Sequence, residues 1–169
     1  MGAAVWLRSA GVSDALSLAR LHHAARAAAM PGLREAHGID DVARWIATVL
    51  MVRHAVRVAD HGDGPVGYIG YGQDDRHGPM VLHLYLDPAW TRRGIGSRLL
   101  VEATAELGSR LSLFCIARNA GARAFYESHG FRIAATSDGA GTEEGEPDIL
   151  FVRDGAAPVI TRKQAGATP

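Results

Sequence analysis

The stretch that most constrains this chain is Asp87–Leu100, DPAWTRRGIGSRLL, where two arginines and two glycines stand directly ahead of an apolar-periodic run. Ile95, Leu99, Ala103 and Leu107 recur at four-residue steps, while Arg98, Glu102 and Glu106 face away, the pattern of a packed helix closed by Gly108. Glycine weakens a helix, so Gly94 and Gly96 at its start need another reason. A helix N-terminus leaves its first N–H groups unpaired and carries partial positive charge. Glycines let a ligand approach that backbone, and Arg92 and Arg93 add side-chain cation. Together these pieces make a site for a pyrophosphate.

Around this helix the chain alternates in period. AAVWLRSA reads as a strand, and SDALSLARLHHAARAAAM as a helix with Ser13 as N-cap. IDDVARWIATVLMV is a second helix, with Val42, Trp45, Ile46 and Val49 on one stripe. HAVRVAD and VGYIGYGQ form a hairpin, followed by the strand PMVLHLYLD. In that strand, alternation puts Leu82, Leu84 and Leu86 on one face and His83 and Tyr85 on the other. RLSLFCIA is a buried strand, NAGARAFYESHG a short helix starting at Asn119, and FRIAAT and DILFVRD are closing strands. The order β-α-α-β-β-β-α-β-α-β-β predicts an α/β (α+β) fold, a mixed sheet with helices on both faces. The 169 residues suit one domain, expected over 1–154, with a mobile tail over 155–169.

Charge excludes some partners. Lys plus Arg equals Asp plus Glu at 18 each, which argues against nucleic acid and against a membrane surface. No apolar run of about 18 residues exists and the N-terminus lacks a signal-peptide layout, so a cytoplasmic protein is expected. The single cysteine, Cys115, forms no intrachain disulfide and reads as a small core residue. No metal site is expected, because His22 and His23 are adjacent on a helix and project about 100° apart.

Three phosphate-binding patterns compete for the opening stretch. The Walker loop requires a lysine that is missing here, and the dinucleotide fingerprint requires glycine where Leu99 stands. TRRGIG, at 91–96, resembles the acyl-CoA motif [Q/R]-x-x-G-x-[G/A] of the GNAT superfamily of N-acetyltransferases. RNAGARAFYESHGF resembles that family's downstream motif, one helix and one strand later. LRSAGVSDALSLARL is similar to its opening strand and helix, so the resemblance covers residues 5–153. Thr91 departs from the pattern, standing where the family carries Gln or Arg, which leaves the cradle to backbone and the arginine pair.

The resemblance implies a mostly antiparallel sheet whose central strands splay apart. Main-chain groups of Leu84, Tyr85 and Leu86 would then hold the pantetheine arm of acetyl-CoA. Arg92, Arg93, Gly94, Ile95, Gly96 and Ser97 would hold the pyrophosphate, and Asn119 the CoA arm. Tyr126, also beside the CoA, matches the tyrosine that protonates the departing thiolate. Relatives often carry Glu or His where this chain has Met80. His83, on the opposite face by parity, is expected to be structural or peripheral. The acidic run TEEGEPD places Glu143 and Glu144 near the acceptor mouth as candidate groups for an amine, with His37 as a second acceptor-side candidate. The implied activity is acetyl transfer from acetyl-CoA to a primary amine, without a metal, and members of the family often pair as homodimers. The alternatives are a non-catalytic acyl-CoA-binding module and a protein N-terminal or lysine acetyltransferase.

Overall fold

The computed structural model describes residues 4–155, so the tail expected to be mobile lies, from residue 156 on, outside the described residues. Seven strands form one sheet: β1 (Trp6–Ser9), β2 (Ala55–Asp60), β3 (Pro65–Asp74), β4 (Gly78–Leu86), β5 (Leu111–Ile116), β6 (Arg132–Thr136) and β7 (Asp148–Arg153). Their order is β1-β2-β3-β4-β5-β7-β6. Every neighbouring pair is antiparallel except β4 and β5, which are parallel and joined by α4 (Ile95–Leu107). β4 and β5 touch in register only at Met80 and Ser112, so the two central strands diverge from there.

Helices cover both faces. α4 packs Ile95, Leu99, Leu100 and Ala103 against Ile69, Tyr71, Val81 and Leu113, in the same cluster as Tyr126 of α5 (Ala120–Ser128). The other face carries α1 (Ala15–Ala29) and α2 (Ile39–Trp45), which continues through a π-helical turn (Ile46–Leu50) into α3 (Met51–Arg53). Leu18, Ala19, Ile46 and Leu50 pack there against Val56, Val58 and Tyr68.

Three local expectations change. Ser13 does not cap α1: a short 3-10 turn (Val12–Asp14) precedes it, and Asp14 accepts the Gly11 N–H at 2.8 Å. Arg8 on β1 holds that carboxylate at 2.8 Å and Asp60 of β2 at 2.8 Å. This tertiary ion pair fixes the helix entry in place of a local hydroxyl cap. Second, the stripe Val42-Trp45-Ile46-Val49 splits. Ile46 and Leu50 are fully buried, while Trp45 is 37% exposed, because the π turn inserts an extra residue and rotates the faces. Third, β4 is bulged. Tyr71 faces Val81 and Gly70 faces His83, which leaves Leu82 without a partner. Leu82 therefore turns to the α1 side with Tyr85, and does not share a face with Leu84 and Leu86.

Candidate active site

The divergence of β4 from β5 creates the site. Asp87 donates its N–H to Val66 of β3 at 2.9 Å. By strand parity the N–H and C=O groups of Leu84 and Leu86 then point the other way, into the gap left by β5. Leu84, Tyr85 and Leu86 line a cleft of about 780 Å³ together with Thr91, Arg92, Gly94, Gly96, Ser97, Asn119 and Tyr126. One end of this cleft is the start of α4. The first intrahelical bond there runs from the Arg98 N–H to the Gly94 carbonyl at 3.1 Å, so the N–H groups of Ile95, Gly96 and Ser97 have no partner within the helix. Arg92 (φ 61°) and Gly94 (φ 76°) both take the left-handed conformation, a turn geometry that gathers N–H groups into an anion-binding concavity.

The two glycines have different reasons. Gly94 needs its positive φ and looks onto open space. At Gly96 a Cβ would sit 3.3 Å from the Phe125 ring and 3.5 Å from Leu86, so its absence lets α4 close on α5 and β4.

The arginine pair also divides. Arg92 lines the cleft. Arg93 lies outside its lining: its guanidinium stacks 4.6 Å over Trp90 and donates to the Ala89 carbonyl at 3.1 Å. Ile95 is a core residue and is not part of the cleft lining. The Ser97 hydroxyl lies 2.8 Å from Nε2 of His129, whose Nδ1–H donates to the Phe125 carbonyl at 2.7 Å. That tautomer makes Ser97 the donor to the ring, which leaves its backbone N–H as the group facing the end of the cleft. Asn119 caps α5, its Oδ1 accepting from Ala122 at 3.0 Å, which leaves the side-chain amide N–H groups for the cleft.

Below the cleft lies a slot of about 390 Å³ between the diverged strands, bordered by Leu84, Leu113, Cys115 and Tyr126. Tyr126 is 7% exposed, among Phe125, Phe131 and Phe151. Burial pushes its phenol far above the ordinary value, with Cys115 next in effect, so the proton stays on the oxygen. Burial likewise pushes the Cys115 thiol up to about 11, which keeps it protonated and a poor nucleophile.

A third cavity, of about 600 Å³, opens on the α1 side. Its wall holds His22, Glu35, His37, Trp45, Leu82, His83, Glu143 and Glu144. His83 is therefore not peripheral, as strand parity suggested. It faces the α1 helix, and that is the face where this cavity lies. Its Nδ1 lies 2.9 Å from the Tyr68 hydroxyl, and its ring stacks on Trp45 at 5.0 Å and lies 5.3 Å from His22. Burial, then Arg26, pushes His83 down to about 4. Burial, then His83 and Arg26, pushes His22 down to about 2. Both imidazoles are neutral at physiological pH.

Arg26 binds two loops over this cavity. It contacts both carboxylate oxygens of Glu35 at 3.0 Å and Glu144 at 2.5 Å. Glu144 is thus tied to a buried cation. Glu143 stands at the rim, 73% exposed, with His37 at 3.1 Å. The structure brings the candidates His37, Glu143 and Glu144 to one cavity, and leaves Met80 as a buried strand residue. Arg26 and Tyr85 border cleft, slot and cavity alike, so the three meet there. Among the described residues no group of three or more His, Cys, Asp or Glu side chains could hold a metal ion. No described helix is long and apolar enough to cross a membrane.

Together these features define an α/β domain with a helix-terminus anion cradle opening onto a split-strand slot. Residues 52–133 match the family Acetyltransferase (GNAT) domain, a span that includes both the cradle and Asn119–Tyr126. This likeness to the GNAT superfamily spans 82 residues, just under half of the chain. It is 34% identical over 79 residues to a probable N-acetyltransferase of Mycobacterium tuberculosis, covering 45% of each chain; the match thus spans less than half of that relative's length. An acetyltransferase from Thermus thermophilus shares the fold at TM-score 0.71 and 23% identity, over 90% of this chain and 99% of that one. The PaiA N-acetyltransferase of Thermoplasma acidophilum, solved with coenzyme A, superposes at TM-score 0.70 and 19% identity, over 89% and 99%.

Proposed function

We propose that this chain transfers an acetyl group from acetyl-CoA to the primary amine of a small molecule, by direct attack in a ternary complex. The observation that carries this reading is the meeting of three spaces at Arg26 and Tyr85. A thioester lying along the free edge of β4 and an amine entering from the α1 side would reach one another there. Acetyl-CoA supplies the activated acyl carbon when bound. The unpaired N–H groups at the start of α4, with Arg92, suit its pyrophosphate. The inward N–H groups of Leu84 and Leu86 suit the pantetheine arm and the carbonyl oxygen that gains charge during attack. Tyr126 borders the slot as a protonated phenol; its proton would pass to the departing thiolate as the proton of the attacking amine passes to the phenol oxygen, so that no phenolate is left in the buried slot.

Direct attack follows from Cys115, the one thiol, being buried and held protonated. A small acceptor is favoured by the ties Arg26–Glu144 and His37–Glu143, which hold the loops lining this cavity to one another. Glu143 at the rim attracts an ammonium. The neutral imidazoles of His22 and His83, beside the Arg26 cation, favour an uncharged amine at the floor. The amine would give up its proton to water at the open rim before it reaches the floor.

Met80 favours a second reading, a module that binds acyl-CoA without turnover, because no proton-accepting side chain stands at that position of β4. One experiment separates the two: thiol release from acetyl-CoA over a broad amine panel, with the product identified by mass. Acetylated product on any primary amine supports transfer. Tight acetyl-CoA binding with no product on every amine overturns it in favour of the binding module.

A further inference from the structure

The acceptor cavity carries more information than the mere presence of an amine site. Its charges are mostly spoken for. The Arg26 cation is neutralised by Glu35 and Glu144, and Arg44 at the mouth is held by Asp41 at 3.0 Å. Four carboxylates (Glu35, Asp41, Glu143, Glu144) thus face two arginines, and no described lining cation is left unpaired to receive an acidic group. Apart from His37 and Thr48, the rest of the wall is apolar and aromatic. The Trp45 indole is 37% exposed and lies nearly parallel to the His83 ring, at 29°. Val42, Val49 and Leu82 border the same space.

The cavity meets the slot at Tyr85, whose ring lies 4.4 Å from that of His22. An amine nitrogen seated at that junction stands on the side where the thioester would lie.

We propose that the acceptor is a monoamine with a flat apolar body and no acidic group, an arylalkylamine, seated with its ring against Trp45 and Val49 and its nitrogen beside Tyr85, where the cavity meets the slot. This rests on the acetyl-transfer reading above. An amino acid with the same ring would bring a carboxylate into a cavity that has no free cation and an excess of acids. A polyamine or aminoglycoside would leave the Trp45–Val42–Val49 wall without an apolar partner.

The test uses matched pairs with the full chain and acetyl-CoA: phenethylamine against phenylalanine and tryptamine against tryptophan, with spermidine and kanamycin alongside. The arylalkylamines are expected to exceed their amino acids in kcat/KM by about 100-fold, the scale on which a site rejects a mismatched polar group. Trp45→Ala is expected to raise KM for phenethylamine about 10-fold while the Tm stays near wild type, since the indole is on the surface. Glu143→Arg supplies the missing cation and is expected to narrow the preference over phenylalanine to less than about 10-fold. Equal use of the amino acids, or preference for spermidine or kanamycin, overturns the arylalkylamine assignment and leaves acetyl transfer standing. Release of thiol with no amine at all overturns both.

Discussion

The CoA side and the acceptor side of this site are built in opposite ways. The start of α4 borders the cleft with residues of one segment, Thr91, Arg92, Gly94, Gly96 and Ser97, and offers it mainly backbone N–H groups. The cleft's second part, Asn119–Tyr126, is also one segment. The acceptor cavity draws side chains from α1, α2, the bulged strand β4 and two loops that contribute Glu35 and Glu144. Backbone sites survive many side-chain changes and fail on a glycine. Side-chain sites tolerate change at most positions and fail at the few residues that hold the segments together.

That contrast can be broken most severely at the slot both sides share. Tyr126→Phe is expected to lower kcat by about 10²–10⁴-fold with little change in either KM, as loss of a general acid does; an unchanged kcat would remove Tyr126 from the chemistry. Next comes the bond that assembles the acceptor side. Arg26→Met strands Glu35 and Glu144, and a loss of about 3 kcal/mol in denaturant stability is expected, the lower end for a broken buried ion pair because both carboxylates keep some solvent. Its effect on acetyl-CoA KM should be far smaller than on acceptor KM.

On the CoA side, Gly96→Val pushes a branched side chain against Phe125 and obstructs the cradle. Acetyl-CoA KM should rise about 30–100-fold, corresponding to roughly 2–3 kcal/mol of charge-assisted hydrogen bonding. The acceptor side also has a pH signature. His22 and His83 have folded pKa values pushed down to about 2 and about 4, below the unfolded value near 6.5. As pH falls through 6.5 the unfolded chain binds protons that the folded chain refuses, so stability is lost on acidification and regained on return to neutrality. Between pH 6.5 and 5 the loss is about 2 kcal/mol for each histidine, checked by urea midpoints across that range and by its reduction in His22→Asn. The smallest effect separates the arginine pair. Arg93→Ala should change acetyl-CoA KM by less than about 2-fold, because that guanidinium serves Trp90, whereas Arg92→Ala should change it by about 10-fold.

The same contrast explains what could be read in advance. The helix stripe Ile95-Leu99-Ala103, the N-cap Asn119 and the parallel step across α4 were legible because each follows from local period or local hydrogen bonding. The placement of Ser13, the split of the Trp45 stripe and the face of Leu82 were not. An ion pair from β1, a π turn and a bulge decided them, and none has a short-range signal. His83 was assigned to its face of the strand correctly. What parity could not tell is which face holds the cavity.

The amino-acid sequence by itself carried the family resemblance, the two glycines at the start of α4 and the tyrosine that borders the slot, because these depend on φ preference, helix ends and motif spacing within a few residues. Tertiary structure alone decided that β7 slips between β5 and β6, that Arg93 belongs to Trp90 and not to the cleft, and that five separate segments meet as one acceptor cavity. Those outcomes rest on contacts between residues up to 118 positions apart, as at Arg26 and Glu144, where only the packing of the whole chain chooses the partner.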